Sequence, residues 1–123
     1  MRKTSIGFLT GLTLAAAAGA WAAGAEHKTV AALYQERAKL AGHTVEFKGK
    51  VSRVTNHVMH RNFLHVRDGT GGDGTDQVTV TSQDTAQIGD DVLVTGTLAV
   101  NRDFGSGYTY PVIIEKASIK KLQ

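Results

Sequence analysis

The feature that most limits the fold of this chain is a period-two alternation of apolar residues, which recurs in short segments separated by turn residues. The clearest segment, positions 92–100, places four apolar residues in one phase: Val92, Val94, Leu98 and Val100. Such alternation is typical of β-strands that bury one face and expose the other. Because short strands are stable only when they pair into a sheet, the sequence predicts a β-protein.

Four further segments show the same period. In the first, which begins at position 44, the alternation breaks at Val54, and this predicts a bulge near Ser52 and Arg53, with Gly49 permitting a bend. The other three are "NFLHV", "QVTVT" and "VIIEKASI". Five short strands, with a curled first strand and glycine at the bends, predict an all-β fold in which residues 44–123 form a five-stranded closed barrel.

One amphipathic helix is expected before the barrel, within residues 26–43. Five residues lie at helical spacing there: Val30, Leu33, Tyr34, Arg37 and Leu40. Thr29 is available as the N-cap and Gly42 as the stop. We expect this helix to cover an open end of the barrel rather than to dock a partner.

The first residues, 1–25, predict a secretory signal peptide. Arg2 and Lys3 precede an uncharged apolar run that is rich in alanine and glycine. Small residues allow cleavage after Ala22 or after Ala25, and we expect the second site. The run is short for a bilayer span, so an uncleaved anchor is the less favoured alternative. The mature chain is therefore expected in the periplasm without a stable membrane anchor.

Removal of this leader changes what the composition implies. It takes two of the 14 basic residues and none of the 11 acidic ones, so the mature chain has a net charge of +1. The sequence pI of 9.3 is consequently a weak indicator of nucleic-acid binding. The chain has no cysteine, and Met59 is the only methionine besides Met1. A metal site in the mature chain would have to use imidazole, carboxylate or one thioether.

Several motifs resemble those of a known family. The segments "LHVRDGTG", "IGDDVLVTG" and "DFGSGY", with a curled first strand, resemble the oligonucleotide/oligosaccharide-binding (OB) fold. Within that group the chain is similar to small exported single-domain proteins labelled NrfJ-like. The matching positions are Met59, Asn62, His65, Asp68, Gly69, Thr70, Gly71, Asp103, Phe104, Gly105, Gly107 and Tyr108.

The chain departs from that family pattern at two positions. His60 stands where the family has glycine, and Phe63 stands where it has tryptophan. The resemblance implies an OB barrel strongly, but it implies an activity only through a nucleic-acid-binding label that derives from the fold.

Alternation also predicts which side chains of the second strand face outward. Leu64 and Val66 share the core phase, so Phe63, His65 and Arg67 are expected on the outer face. In an OB barrel this face, bordered by two loops, is the usual binding surface. The loops bring further candidates to it: His57, Met59, His60, Arg61, Asp103, Phe104, Tyr108 and Tyr110.

A transition-metal site is the first interpretation of this face, with His57, Met59, His60 and His65 as ligands. Imidazole with thioether suits Cu(I), whereas imidazole with carboxylate suits Cu(II) or Zn, and we place copper before zinc. Phe63 would then act as an apolar cover. The alternative is that these histidines are ordinary solvated or hydrogen-bonded surface residues.

Binding of single-stranded nucleic acid or nucleotides is the second interpretation. Bases would stack on Phe63, Phe104, Tyr108 and Tyr110, and arginines would contact phosphates: Arg53, Arg61, Arg67 and Arg102. A third interpretation is an adaptor for a periplasmic redox protein, because exposed aromatic residues also serve protein interfaces. We expect no enzymatic activity, since the sequence offers neither a nucleophile elbow nor a suggestive carboxylate pair.

Overall fold

The computed structural model describes residues 24–122, which form one curled β-sheet with two short helices near its start. The strands are β1 (Glu26–His27), β2 (Thr44–Val58), β3 (Arg61–Arg67), β4 (Gln77–Ser82), β5 (Asp91–Asp103) and β6 (Thr109–Lys121). The helices are α1 (Val30–Gln35) and α2 (Arg37–Leu40). Except for its last two positions, the predicted signal peptide lies outside the described residues, as does cleavage after Ala22. Among residues 24–122, no helix combines the length and apolarity needed to cross a membrane.

The sheet closes on itself through β2. Its strand order is β1-β2-β3-β4-β6-β5, and β2 also pairs with β5, so five long strands form a ring of pairings. The first part of β2 pairs with β5, as in Phe47 opposite Val94, and the second part pairs with β3, as in Val54 opposite Leu64. The register of β2 and β3 shifts just after Val51, which confirms the predicted bulge. The short parallel strand β1 was not predicted.

The core lies inside this barrel-like sheet and contains apolar side chains that the period-two alternation predicted to face inward. Its fully buried side chains include Val45, Phe47, Leu64, Val66, Val80, Val92, Val94, Leu98 and Ile114. Gly49 stands where β2 passes from one pairing partner to the other. A Cβ there would lie 2.6 Å from Val66 Cγ1 and 2.7 Å from the Arg67 carbonyl oxygen, so only glycine allows the close approach.

The helical segment differs from the predicted single helix, because the chain breaks at Glu36 into α1 and α2. Thr29 caps α1 as predicted, since its Oγ1 accepts a hydrogen bond from the Ala32 N–H. At the break, Arg37 Nη1 donates to the Tyr34 carbonyl, an acceptor that a continuous helix would reserve for a backbone N–H. Arg37 is consequently exposed rather than part of the buried face.

The loop after β3 holds α1 on the sheet. Asp68 Oδ2 accepts a hydrogen bond from the Val30 N–H, and Thr70 Oγ1 accepts one from the Ala31 N–H, both at 2.9 Å. These bonds satisfy amide groups of the first helical turn, which have no partner within the helix. Burial raises the pKa of Asp68, but hydrogen bonds from Thr70 and from the Val30 N–H outweigh it and hold the pKa below its usual value.

Candidate ligand-binding site

A groove of about 440 Å³ crosses the outer face of β2 and β3 beside the loop between β5 and β6. We call it the aromatic groove, and its lining residues are Arg53, Thr55, Val58, Met59, Phe63, His65, Phe104, Tyr108 and Tyr110. Leu64 and Val66 are fully buried, whereas Phe63 and His65 lie on the opposite face of β3. The outward direction predicted for these two side chains is confirmed.

Three aromatic rings form a contact cluster in this groove. The ring centroids of Phe63 and Phe104 are 5.6 Å apart, those of Phe104 and Tyr110 are 5.8 Å apart, and both pairs meet edge to face. Such pairs are favourable beyond the area they bury, so they hold the loop between β5 and β6 against β3. Tyr108, by contrast, is 62% exposed and leaves most of its ring accessible at the groove.

The loop that presents Phe104 and Tyr108 is a tight, internally bonded turn. The Phe104 N–H donates to the Tyr108 carbonyl, and the Tyr108 N–H donates to the Gly105 carbonyl, both at 2.9 Å. Asp103 Oδ1 accepts a hydrogen bond of 2.7 Å from the Gly105 N–H. The predicted site residue Asp103 therefore serves the turn, and it does not line the aromatic groove.

Of the arginines predicted for this face, three lie at the aromatic groove and one lines a different surface. The guanidinium carbon of Arg102 lies 4.9 Å from the centre of the Phe104 ring, and that of Arg61 lies 5.7 Å from it. Arg53, on β2, lines the groove itself. Arg67 instead lines a different surface, and its Nη2 lies 3.5 Å from Gln77 Oε1. Arg67 is exposed, as alternation predicted, but it does not line the aromatic groove.

His65 is held in the groove by a residue that the sequence did not indicate. Its Nδ1 lies 3.1 Å from Gln77 Nε2, which leaves Nε2 of the imidazole as the nitrogen available to a ligand. The backbone carbonyl of Gln77 also accepts a 2.6 Å hydrogen bond from the Tyr34 hydroxyl. Burial, and secondly the charge of Arg53, lower the pKa of His65 below its usual value. The lowered pKa favours the neutral form of the His65 imidazole.

The hairpin tip between β2 and β3 carries an unusual backbone conformation. Met59 and His60 have φ of 52° and 65°, and His57 has φ of 62°. A two-residue hairpin turn with both φ values positive is of type I′, which strongly favours glycine or asparagine. The Asn62 side chain accepts a hydrogen bond from the His57 N–H, and Gln83 Nε2 donates to the His60 carbonyl. These two polar side chains hold the tip in place.

The four predicted metal ligands lie on more than one surface. His65 and Met59 line the aromatic groove, His60 lines a second groove that also touches Met59, and His57 lines neither groove. Within residues 24–122, no group of three or more histidine, cysteine or acidic side chains could hold a metal ion. Copper or zinc binding stays a prediction.

Solved structures similar to this chain include aminoacyl-tRNA synthetases. An aspartyl-tRNA synthetase from Leishmania major Friedlin matches 77% of this chain with a TM-score of 0.57 and 19% identity, over 20% of its own length. The Entamoeba histolytica asparaginyl-tRNA synthetase in complex with asparaginyl-adenylate matches 80% of this chain with a TM-score of 0.54 and 13% identity, over 24% of its own length.

Another similar solved structure is that of a small binding protein. OBody AM3L09 bound to hen egg-white lysozyme has a TM-score of 0.52 and 18% identity, and the match covers 69% of this chain and 86% of the OBody. No protein-family model and no curated protein sequence matches the chain. The fold and its neighbours define the chain as an OB-fold protein. At these identities the likeness concerns the fold alone.

Proposed function

We propose that this chain is a non-enzymatic OB-fold module that binds single-stranded nucleic acid in the aromatic groove. The observation that carries the proposal is the ring cluster of Phe63, Phe104 and Tyr110, with Tyr108 exposed beside it. Aromatic side chains on an OB-fold surface stack bases and contribute about 1 to 3 kcal/mol per base.

The polar groups of the groove suit the same ligand. Arg53 lines the groove, and Arg61 and Arg102 stand at the edge of the Phe104 ring. Guanidinium groups near stacked bases can contact phosphates and add cation–π attraction. The neutral imidazole of His65 offers a hydrogen-bonding group to the edge of a base. The likeness to two tRNA synthetases is consistent with such a ligand.

Exposed apolar side chains give a further reason to place a binding site at the aromatic groove. Met59 is 46% exposed and Tyr108 is 62% exposed, and both line the aromatic groove. Large apolar side chains that gather on one surface indicate a binding site, because a ligand would remove them from water. Ile88, which is also a large and exposed hydrophobic side chain, lines neither this groove nor the second one, so it provides a matched control.

Fluorescence anisotropy with a labelled single-stranded oligonucleotide tests the proposal. Binding at low salt is expected, and Tyr108→Ala should weaken it by about 5-fold to 150-fold, because one stacking contact is worth about 1 to 3 kcal/mol. Ile88→Ala removes an equally exposed apolar side chain and should leave the affinity unchanged. Failure of the unaltered chain to bind any single strand at low salt would contradict the proposal.

A protein partner is the second candidate, and the likeness to OBody AM3L09, which was solved bound to lysozyme, favours it. The exposed Met59 and Tyr108 would then be interface anchors. Salt separates the two candidates, because nucleic-acid affinity falls steeply as salt rises. A periplasmic protein captured equally well at high and low salt, and lost in Tyr108→Ala, would favour the protein partner.

Export to the periplasm is part of the proposal, and it is supported by the residue pattern of positions 1–25. The full chain should be cleaved after Ala25 when it is expressed in a bacterium with a periplasm. Mass spectrometry of the periplasmic fraction is then expected to show Glu26 as the first residue. A full-length chain that stays in the cytoplasm would contradict this part of the proposal.

A further inference from the structure

A second groove, of about 570 Å³, lies beside the aromatic groove and shares Met59 with it. It is formed by the hairpin tip, the end of β4, and facing parts of β5 and β6. We call it the basic groove. The side chains that give it this character are His60, Arg61, Arg102 and Lys116, with Glu115 as its one acidic residue.

Basic residues outnumber acidic ones by a larger ratio in the basic groove than in the whole chain. Arg61, Arg102 and Lys116 face a single carboxylate, that of Glu115, whereas the whole sequence has 14 basic and 11 acidic residues. Glu115 Oε2 accepts a 2.6 Å hydrogen bond from Arg102 Nε. In the part of the chain that the structure describes, no ion pair involves Arg61 or Lys116. Two cationic side chains therefore remain for an anionic ligand.

Lys116, which lines the basic groove, has an unusual backbone conformation. Lys116 has φ of 53°, a conformation that non-glycine residues rarely adopt. The residue falls in an irregular stretch of β6, where the register shifts in the pairing with β4 and also in the pairing with β5. Irregularities of this kind redirect a side chain, and strained residues gather at functional sites. Lys116 is exposed and lines the basic groove.

Phe104 joins the two grooves. Its ring lines the aromatic groove, while Arg61 and Arg102, which line the basic groove, lie 5.7 and 4.9 Å from the centre of that ring. Stacking surfaces and cationic side chains thus stand next to each other. Single-stranded nucleic acid carries bases and phosphates in the same close alternation, because each nucleotide contributes one of each.

We propose that the basic groove binds phosphate groups of the same strand whose bases stack in the aromatic groove. The ligand is then an oligonucleotide that spans both grooves rather than a free base or a mononucleotide. This inference rests on the proposed function, since it assigns the second groove to the backbone of that ligand. Arg61 and Lys116 are the residues assigned to phosphate contact.

The salt dependence of binding tests this assignment. For single strands, the logarithm of the affinity falls with the logarithm of salt concentration with a slope of about 0.7 per phosphate contact. Lys116→Gly removes the charge and keeps the positive φ accessible, and Arg61→Gln removes the other charge. Each should lower the slope for an oligothymidine probe by about 0.7. Lys48→Gln changes a lysine on a different surface and should leave the slope unchanged.

Two further comparisons distinguish phosphate contacts in the basic groove from base stacking in the aromatic groove. Tyr108→Ala should weaken binding of oligothymidine and leave the slope unchanged, because stacking releases no counterions. Thymidine monophosphate should bind at least about tenfold more weakly than the oligomer, because it occupies one stacking position. Circular dichroism of each variant confirms that it is folded.

The outcomes separate this inference from the proposed function. If Tyr108→Ala weakens binding while Lys116→Gly and Arg61→Gln keep the full slope, the basic groove does not hold phosphates, and the aromatic groove still binds the strand. Equal affinity for the monophosphate and the oligomer would likewise overturn the inference alone. Absence of any oligonucleotide binding at low salt would overturn both.

Discussion

At the scale of single residues, His65 shows how burial sets the chemistry of the site. The imidazole is partly buried and hydrogen-bonded to Gln77, and the cationic Arg53 lines the same groove. Burial first, and the charge of Arg53 second, lower its pKa from the usual 6.5. The folded chain therefore disfavours the protonated imidazole more than the unfolded chain does.

This pKa shift predicts a pH dependence of stability. As the pH falls below 6.5, the unfolded chain binds a proton at His65 before the folded chain does. The contribution of the neutral His65 imidazole to the free energy of unfolding should therefore be fully present above pH 6.5. It should be lost as the pH falls through the folded pKa. Urea denaturation across this range measures it, and the decrease should be smaller in His65→Gln. Identical pH profiles for the two proteins would contradict the prediction.

Also at this scale, the sequence could show which face of β3 a residue occupies but not its backbone strain or its neighbours. The outward directions of Phe63 and His65 follow from period two alone, because each depends only on adjacent residues. The positive φ at His60 had one indication in the sequence, which is that this residue stands where the family has glycine. The contact between His65 and Gln77 depends on the pairing of β3 with β4, which a single strand does not specify.

At the scale of elements, the attachment of α1 depends on a loop that follows it by almost forty residues. Asp68 and Thr70 accept hydrogen bonds from backbone amides of the first turn of α1. Helical periodicity predicted a helix at this place, because the spacing of Val30, Leu33 and Leu40 is local. The break at Glu36 and the distant cap could not be predicted, because both arise from contacts between separate elements.

Removal of the Asp68 carboxylate should loosen this attachment. Asp68→Ala is expected to cost about 0.5 to 2 kcal/mol of stability, the range for loss of an N-cap side chain. Because the pKa of Asp68 is lowered, its contribution should be present above pH 3.8 and be lost as the pH falls through the folded pKa. Chemical denaturation at neutral pH measures the cost. Asp73→Ala, at an exposed position in the same loop, should stay within about 0.5 kcal/mol of the unaltered chain.

At the scale of the whole molecule, metal binding would be measurable as an increase in the stability of the folded chain. A ligand that binds only the folded state stabilises it by about 2.7 kcal/mol at 100 times its dissociation constant. Thermal denaturation with Cu(I), Cu(II) and Zn tests the predicted metal site. A shift that disappears in both Met59→Ala and His65→Ala would support it, whereas unchanged melting temperatures with every metal would contradict it.

Closure of the sheet is a property of the whole molecule that a single substitution can test. The chain has no cysteine, so its strands are held together by pairing and packing, and β2 must pair with β5 and then with β3. That passage occurs at Gly49, where an added Cβ would lie 2.7 Å from a backbone oxygen of β3. A backbone atom in a paired strand cannot move aside as a flexible side chain can.

Gly49→Ala should therefore destabilise the fold by about 1 to 3 kcal/mol, the usual cost of overpacking. Gly72→Ala is the matched control, because a Cβ at that position meets nothing within 4 Å and the backbone is not left-handed. That substitution should be neutral or slightly stabilising, since alanine restricts the unfolded chain. Urea denaturation of both variants measures the difference. Equal stability of the two would mean that β2 can bend without a close approach to β3, and that closure of the sheet does not depend on glycine there.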